Sequence, residues 1–271
     1  MLLFSIPLAA GWYGYEVFMA RPAHSFQGVP QAQSWLTPST FTRNFRSDAF
    51  LVGYSDMRGN PLWVSYKIKP VPKNAKRLKR PSRFNKDWRS FNKVTHDDYL
   101  RSGYDRGHMA PNYAISRLYG KQAQLETFTM TNITPQKPKL NRKLWQRLEA
   151  AEIGHFTKLA DEIWVTTGTV FTGDKKYLKN GSNVEIPDAF YKVYAMKPKK
   201  GEVKLLAFLM PQKVKGNESL AKFVVSIDKI EELTGLDFFH ELDDKIEDKL
   251  EATVDTKSWQ LATVANIPSR F

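Results

Sequence analysis

The chain has 271 residues, 42% of them hydrophobic and 13% aromatic, which is enough apolar surface for a sizeable core in a single α+β domain. Its 41 lysine and arginine residues against 28 acidic residues give a net charge of +13, which favours a polyanionic partner: nucleic acid, an anionic membrane surface or an acidic polysaccharide. Because the chain contains no cysteine, disulfide bonds, cysteine-ligated zinc and thiol catalysis are excluded.

The first predicted element is the apolar stretch of residues 1–20, in which Glu16 is the single charged residue. A secretory signal normally begins with basic residues, and none follows Met1. Two interpretations remain open. Residues 2–20 form a membrane anchor or an uncleaved export signal, or they form an N-terminal helix that packs on the domain.

Residues 21–45 lack a clear period and are predicted to form an irregular linker, with the folded domain covering residues 46–271. The domain is predicted to begin with two strands at residues 50–54 and 62–68. The turn residues at 56–61 lie between them and indicate a β-hairpin.

The next segment, from Lys67 to Arg89, is rich in lysine and arginine. Its three prolines argue against a continuous helix. Two interpretations are open: a solvated loop, or an arm that contacts phosphates while Phe84 and Trp88 stack on bases.

The second half of the chain contains three further predicted strands, at residues 162–168, 191–195 and 203–209. A short helix is predicted over residues 226–236, beginning with a serine cap and ending at Gly235. Strands and helices follow one another without a regular βαβ rhythm. We therefore predict an α+β fold with a central, largely antiparallel sheet flanked by helices.

The residues most typical of catalysis lie in the segment 104–112 (YDRGHMAPN), which contains Asp105, Arg106 and His108. An imidazole can take a proton from water near neutral pH, and a guanidinium can neutralise charge on phosphoryl oxygens. The other histidines lack such neighbours and are interpreted as packed or surface residues: His24, His96, His155 and His240.

A helix is predicted downstream, because leucines recur at every fourth position from Leu140. Asn141 and Glu149 lie on the neighbouring stripe. Either this is an amphipathic surface helix capped by Asn141, or Asn141 and Glu149 face one site. Eight residues rise about 12 Å along a helix, so Glu149 would reach a metal ion only through a bound water. Magnesium, which keeps several of its waters, suits such a site.

Three blocks of the sequence resemble the DNA/RNA non-specific endonuclease family, which includes secreted bacterial nucleases and mitochondrial endonuclease G. The blocks are residues 105–108 (DRGH), 132–136 (NITPQ) and 140–149 (LNRKLWQRLE), in the family's order and at similar spacing. The resemblance runs from about Phe50 to the C-terminus. It implies a ββα-metal (His-Me finger) core, with His108 on a β-hairpin and Asn141 at the start of the following helix.

The resemblance also implies roles for individual residues. The general base corresponds to His108 and the direct metal ligand to Asn141. Glu149 corresponds to the acid that holds a metal-bound water. The phosphate-stabilising arginine corresponds to Arg106, and a second one to Arg83. Asn132 lies where the family keeps a supporting active-site asparagine.

One feature departs from the secreted bacterial nucleases, which carry a further arginine shortly after the helix glutamate. Here residues 150–153 (AAEI) follow Glu149, so no arginine is expected from this end of the helix.

The function implied is cleavage of DNA and RNA, single- or double-stranded, with little sequence preference. The reaction would depend on Mg²⁺, for which Mn²⁺ or another divalent ion could substitute, and would leave 5′-phosphates. Family members are often homodimers. The apolar N-terminus favours a periplasmic, membrane-anchored or secreted location, with a mitochondrial location as the alternative. A catalytically inactive protein that binds nucleic acid or anionic membranes is the alternative function.

Overall fold

An antiparallel sheet forms the centre of the molecule in the computed structural model, which describes residues 5–180, 183–198 and 201–270. The strands of the described residues are, in chain order, β1 (Gln31–Ala32), β2 (Arg43–Arg46), β3 (Phe50–Ser55), β4 (Asn60–Ile68), β5 (Asp105–His108), β6 (Ile133–Gln136), β7 (Ile163–Val170), β8 (Ala189–Met196), β9 (Lys204–Pro211), β10 (Val224–Val225) and β11 (Leu236–Asp237). The central sheet has seven strands in the order β10-β9-β8-β7-β4-β3-β2, and every neighbouring pair is antiparallel. The predicted α+β fold with a largely antiparallel sheet is therefore confirmed.

Helices cover both faces of this sheet. Their bounds are α1 (Ser5–Tyr15), α2 (Asn112–Thr127), α3 (Gln146–Gly154), α4 (Ile227–Thr234), α5 (Asp244–Ala252) and α6 (Leu261–Val264). A π-helical turn, Glu16–Ala20, continues α1, and another, Leu140–Trp145, leads into α3. Short 3₁₀ turns occur at Pro38–Thr40, Asp97–Tyr99, Met130–Asn132, Phe156–Lys158 and Leu220–Phe223.

The side chains of the central strands point alternately to the two faces of the sheet, so the core consists of two layers. On β8, Phe190 and Tyr194 belong to the layer that contains α2, α3 and α6, whereas Tyr191 and Val193 belong to the layer beneath α4 and α5. Successive side chains of a strand point to opposite faces, so a strand covered on both faces is apolar throughout. This arrangement explains the nearly continuous burial of β8.

The predicted hairpin and the predicted short helix are both present. β3 pairs with β4 across a tight turn, although β4 begins at Asn60, inside the predicted turn. In α4, the Oγ of Ser226 accepts a hydrogen bond from the backbone N–H of Lys229 at 3.2 Å. Gly235 ends the helix with φ of +67°, a left-handed conformation that favours glycine.

The predicted linker, residues 21–45, contains two strands that pair with the domain. β1 pairs with β11, and β2 forms an edge of the central sheet beside β3. A four-residue edge strand that contains one apolar residue, Phe45, carries too little alternation to be predicted from sequence. The basic segment that follows β4 forms no α-helix, as its prolines predict.

The N-terminal stretch is helical from Ser5 to Ala20, and residues 1–4 lie outside the described residues. Among the described residues, no helix combines the length and the apolar character that crossing a bilayer requires. The end of this stretch packs on the domain, because the buried Glu16 accepts a hydrogen bond from the Nε of Arg46 at 2.8 Å.

Candidate active site

The candidate site is built on a second, two-stranded sheet, in which β5 pairs antiparallel with β6. His108 is the last residue of β5 and lies opposite Ile133. The resemblance implied a β-hairpin here, but the two strands are joined by a long connection that contains α2. The ribbon therefore forms through pairing of distant segments, and it leads directly into the helical turn that carries Asn141.

Between this ribbon and α3 lies a cleft of about 260 Å³. Four of the sequence-predicted residues line it: Arg106, His108, Asn141 and Glu149. The remaining lining residues are Arg80, Asn112, Tyr113, Arg142, Gln146, Ala150 and Arg270.

His108 is 8% exposed, and its ring packs against two aromatic rings. The ring centroids of Phe84 and Phe128 lie 5.3 and 4.8 Å from that of His108. Burial, and to a smaller extent the positive charge of Arg80, lower the pKa of His108 to about 3. The imidazole is therefore uncharged at neutral pH, and its buried Nε2 has no hydrogen-bond partner among the described residues.

Asn132 is fully buried and fixes the backbone that follows His108. Its Oδ1 accepts from the backbone N–H of Ala110 at 2.8 Å, and its Nδ2 donates to the carbonyl of Ala110 at 3.1 Å. A further hydrogen bond joins Nδ2 to the carbonyl of Thr127 at 3.0 Å. Asn132 does not line the cleft; its hydrogen bonds hold the backbone two residues after His108.

Asn141 is oriented by Asp105. Its Nδ2 donates to Oδ2 of Asp105 at 3.0 Å, which leaves the amide oxygen Oδ1 as the atom available to a ligand. Arg142 holds the same carboxylate through two hydrogen bonds of 2.8 and 2.6 Å. Asn141 is not the helix cap of the alternative interpretation, because its own N–H already donates to the carbonyl of Lys137 at 2.9 Å.

Glu149 is half-buried in the wall of the cleft. Burial raises its pKa to about 7, although the positive charge of Lys192 opposes the rise. Lys192 is fully buried on β8 and forms a salt bridge with Glu152 at 3.1 Å. The hydroxyls of Tyr66 and Tyr194 also donate to Glu152, each at 3.1 Å. A polar network thus lies behind Glu149, in the middle of the core.

The two predicted arginines differ in position. Arg106 lines the cleft, and its Nε and Nη2 donate to the carbonyl of His96 at 3.0 and 2.5 Å, which holds the guanidinium in place. Arg83 does not line the cleft and is 67% exposed, in a salt bridge with Asp97 at 2.8 Å. It lies near enough for its charge to contribute to lowering the pKa of Arg106, for which burial is the main cause.

Besides Arg142, which pairs with Asp105, two arginines of the cleft were not singled out from the sequence. Arg80 belongs to the basic segment, where nothing distinguishes it from its neighbours, and its guanidinium carbon lies 5.4 Å from the ring centre of Phe128. Arg270 comes from the C-terminal tail, and its guanidinium carbon lies 4.9 Å from the ring centre of Tyr113. Arg270 therefore supplies positive charge beside Glu149, where the helix carries no arginine after the glutamate.

The known proteins to which this chain is similar are nucleases. Residues 37–245 match the family described as DNA/RNA non-specific endonuclease. Human "Endonuclease G, mitochondrial" is 29% identical over 203 residues, which cover 70% of this chain and 67% of the human protein. Mouse "Nuclease EXOG, mitochondrial" is 30% identical over 253 residues, covering 88% of this chain and 68% of the mouse protein.

A yeast relative and a solved structure extend the comparison. The "Mitochondrial nuclease" of Saccharomyces cerevisiae is 29% identical over 216 residues, which cover 72% of this chain and 65% of the yeast protein. The solved structure named "Crystal structure of the EndoG/EndoGI complex: Mechanism of EndoG inhibition" superposes with a TM-score of 0.67 at 26% identity. The superposition covers 81% of this chain and 90% of that one.

Proposed function

The chain belongs to the DNA/RNA non-specific endonuclease family and is a metal-dependent nuclease, and from this premise we propose that His108 is the general base for hydrolysis of phosphodiester bonds. The substrates are DNA and RNA, single- or double-stranded, and the products carry 5′-phosphates. The observation that carries the proposal is an uncharged imidazole in the same cleft as an amide oxygen, a carboxylate and four arginines.

The cleft has the donors that a hard divalent cation prefers. Oδ1 of Asn141 is available because Asp105 takes up the amide nitrogen, and the carboxylate of Glu149 lies in the same cleft. We assign direct ligation of Mg²⁺, or of Mn²⁺ in its place, to Asn141 and contact through a water to Glu149. When bound there, the ion supplies positive charge to the phosphate and to the departing oxygen.

The side chains of the cleft have separate roles in the proposed reaction. His108 accepts the proton of the attacking water, because its neutral ring can bind one. A bound phosphate brings negative charge next to the ring and raises the pKa of His108 from its low value towards the range of an efficient base. Arg80, Arg106 and Arg270 bind the phosphate oxygens, whose negative charge increases as the water attacks. Asn132 holds His108 in position.

Low sequence preference follows from the kind of contact that the cleft offers. Its cationic side chains are suited to phosphates, which are the same in every sequence and in both nucleic acids. Arg83, on the exposed surface beside Arg106, is proposed to contact a neighbouring phosphate of the same strand.

The proposal is tested by incubating the full chain with supercoiled plasmid and with single-stranded RNA, in Mg²⁺, in Mn²⁺ and in EDTA. We expect both substrates to be cleaved only when a divalent metal ion is present, and the products to carry 5′-phosphates. Asn141→Ala should lose most of this cleavage. Binding of both nucleic acids without cleavage under any divalent ion would instead identify a catalytically inactive binding protein.

The location of the protein is a separate part of the proposal. The human, mouse and yeast relatives are named as mitochondrial, which favours the mitochondrial alternative over a periplasmic or secreted location. The exposed aromatic side chains of Trp12 and Phe18 suit contact of the N-terminal helix with a membrane surface. Sedimentation with anionic vesicles would test that contact, and light scattering would test the homodimer that the resemblance implies.

A further inference from the structure

A strongly acidic region contrasts with the basic character of the whole chain. Residues 226–252 contain ten of the 28 acidic residues and three lysines, within a protein of net charge +13. The region comprises α4, β11 and α5, which lie on the opposite side of the central sheet from the layer that contains α2 and α3. This acidity therefore belongs to a different part of the molecule from the cleft.

Three carboxylates of this region converge between two helices. Asp228 and Glu231 lie on α4, and Glu251 lies on α5. One oxygen of each lies within 4.8 Å of the others. Glu231 uses Oε1 to accept a hydrogen bond from the backbone N–H of Phe238 at 2.7 Å, so its second oxygen remains available.

The third carboxylate, that of Glu251, is buried and one of its oxygens has no hydrogen-bond donor among the described residues. The residue is 5% exposed, and the oxygen in question is Oε1. Among the residues that the structure describes, no lysine or arginine forms a salt bridge with any of the three acids. The neighbouring Lys229 pairs with Glu232 instead, at 2.7 Å. A buried carboxylate without a partner is costly, and this one lies beside two further carboxylates, which indicates a missing ligand.

We propose that Asp228, Glu231 and Glu251 bind a divalent cation of calcium size, separate from the nuclease cleft, and that this cation ties α5 to α4. Calcium takes six to eight oxygen ligands in flexible geometry, whereas Mg²⁺ keeps several of its waters and is usually held by one or two carboxylates. Three carboxylate oxygens that lie within 4.8 Å of one another therefore favour calcium. Asp228 is exposed, which leaves one side open for the waters that complete the coordination shell.

The site is tested by titrating the full chain with Ca²⁺ and with Mg²⁺ while recording binding heat and the thermal unfolding temperature. All proteins carry Asn141→Ala, so that ions bound in the nuclease cleft do not contribute. We expect Ca²⁺ to raise the unfolding temperature and to bind more tightly than Mg²⁺. Glu251→Gln should weaken Ca²⁺ binding roughly ten-fold or more, because it removes one charged ligand.

The matched control is Glu232→Gln, which removes one carboxylate from the same helix, α4, and should leave Ca²⁺ binding unchanged. Asp228→Asn repeats the test at an exposed position, so a folding defect of Glu251→Gln does not prevent a decision. The proposal is overturned if Ca²⁺ leaves the unfolding temperature unchanged, if Mg²⁺ binds more tightly, or if Asp228→Asn binds Ca²⁺ as the control does.

Discussion

At the scale of single residues, the low pKa of His108 has a consequence for stability. The unfolded chain takes up a proton near the ordinary histidine pKa of about 6.5, whereas the folded chain does so only near pH 3. Between these values the unfolded state binds more protons. The stability associated with His108 is therefore present above pH 6.5 and is lost as the pH falls towards 3.

The first prediction is a difference in acid sensitivity between the wild type and His108→Ala. Between pH 6.5 and pH 5.0 the free energy of unfolding of the wild type should fall by roughly 2 kcal/mol more than that of the variant. Urea unfolding at the two pH values measures the difference. Asn141→Ala, which keeps His108, should show the wild-type response, and an equal response in His108→Ala would contradict the assigned pKa.

A second prediction concerns Asp105, which fixes the orientation of Asn141. In Asp105→Ala the amide of Asn141 is free to rotate, and we expect roughly 10–100-fold more Mg²⁺ to be needed for half-maximal cleavage. Arg142→Ala is the matched control, since it removes another partner of Asp105 but leaves the bond to Asn141. Equal magnesium requirements in the two variants would show that Asp105 does not act through Asn141.

Among single residues, the sequence predicted the groups with a proposed chemical role better than the residues that folding brings near them. The spacing of three blocks brought His108, Asn141 and Glu149 into one hypothesis, and the structure places all three in one cleft. Arg270 was not predicted, because its contact with the cleft depends on long-range folding that leaves no local period. Lys192 was missed for a related reason: a charged residue within an apolar strand gives no sign of the network behind it.

At the scale of elements, the β5–β6 ribbon depends on a close approach of its two strands. A Cβ atom on Gly107 would lie 2.1 Å from Oε1 of Gln136, the residue that follows Pro135 on β6. Gln136 is fully buried, so its side chain has little space into which to move. The position therefore requires glycine.

The third prediction is that Gly107→Ala lowers the free energy of unfolding by about 1–3 kcal/mol and also reduces cleavage, because the ribbon that carries His108 must shift. Denaturant unfolding and plasmid cleavage measure the two effects. Gly154→Ala is the control, since an added Cβ there meets no atom within 4 Å. Wild-type stability and activity in Gly107→Ala would show that the ribbon tolerates the displacement.

Elements with strong local signals were the ones that the sequence predicted. Strands β8 and β9 of the central sheet are largely apolar runs, and α4 has both a serine cap and a C-terminal glycine. The β5–β6 ribbon gave a motif but no strand pattern, because its eight residues are mostly polar or turn-forming. Its pairing is fixed by contacts between distant segments, which a local period does not report.

At the scale of the whole molecule, charge is unevenly distributed. The cleft and the segment that follows β4 are basic, whereas α4, β11 and α5 are acidic. Net charge alone left nucleic acid, membrane and polysaccharide as alternative partners. Membership of the nuclease family favours nucleic acid among these, and the general base proposed at His108 agrees with it, since binding to an anionic surface requires no general base.

The fourth prediction is that binding of double-stranded DNA weakens with salt and that part of this dependence comes from Arg80. With His108→Ala as the background and EDTA present, Arg80→Ala should reduce the slope of log affinity against log salt by about one. Lys249→Ala, in the acidic region, should leave the slope unchanged. Identical slopes for the two variants would place the DNA away from the cleft.

The central claim is that His108 performs the chemical step, and the single-turnover cleavage rate of a short DNA duplex tests it most directly. With enzyme in excess and saturating Mg²⁺, His108→Ala should cleave about 10²–10⁴-fold more slowly than the wild type, and added imidazole should restore part of the rate. His240→Ala, a histidine outside the cleft, should cleave at the wild-type rate. A rate for His108→Ala within a few-fold of the wild type would contradict the assignment of the general base.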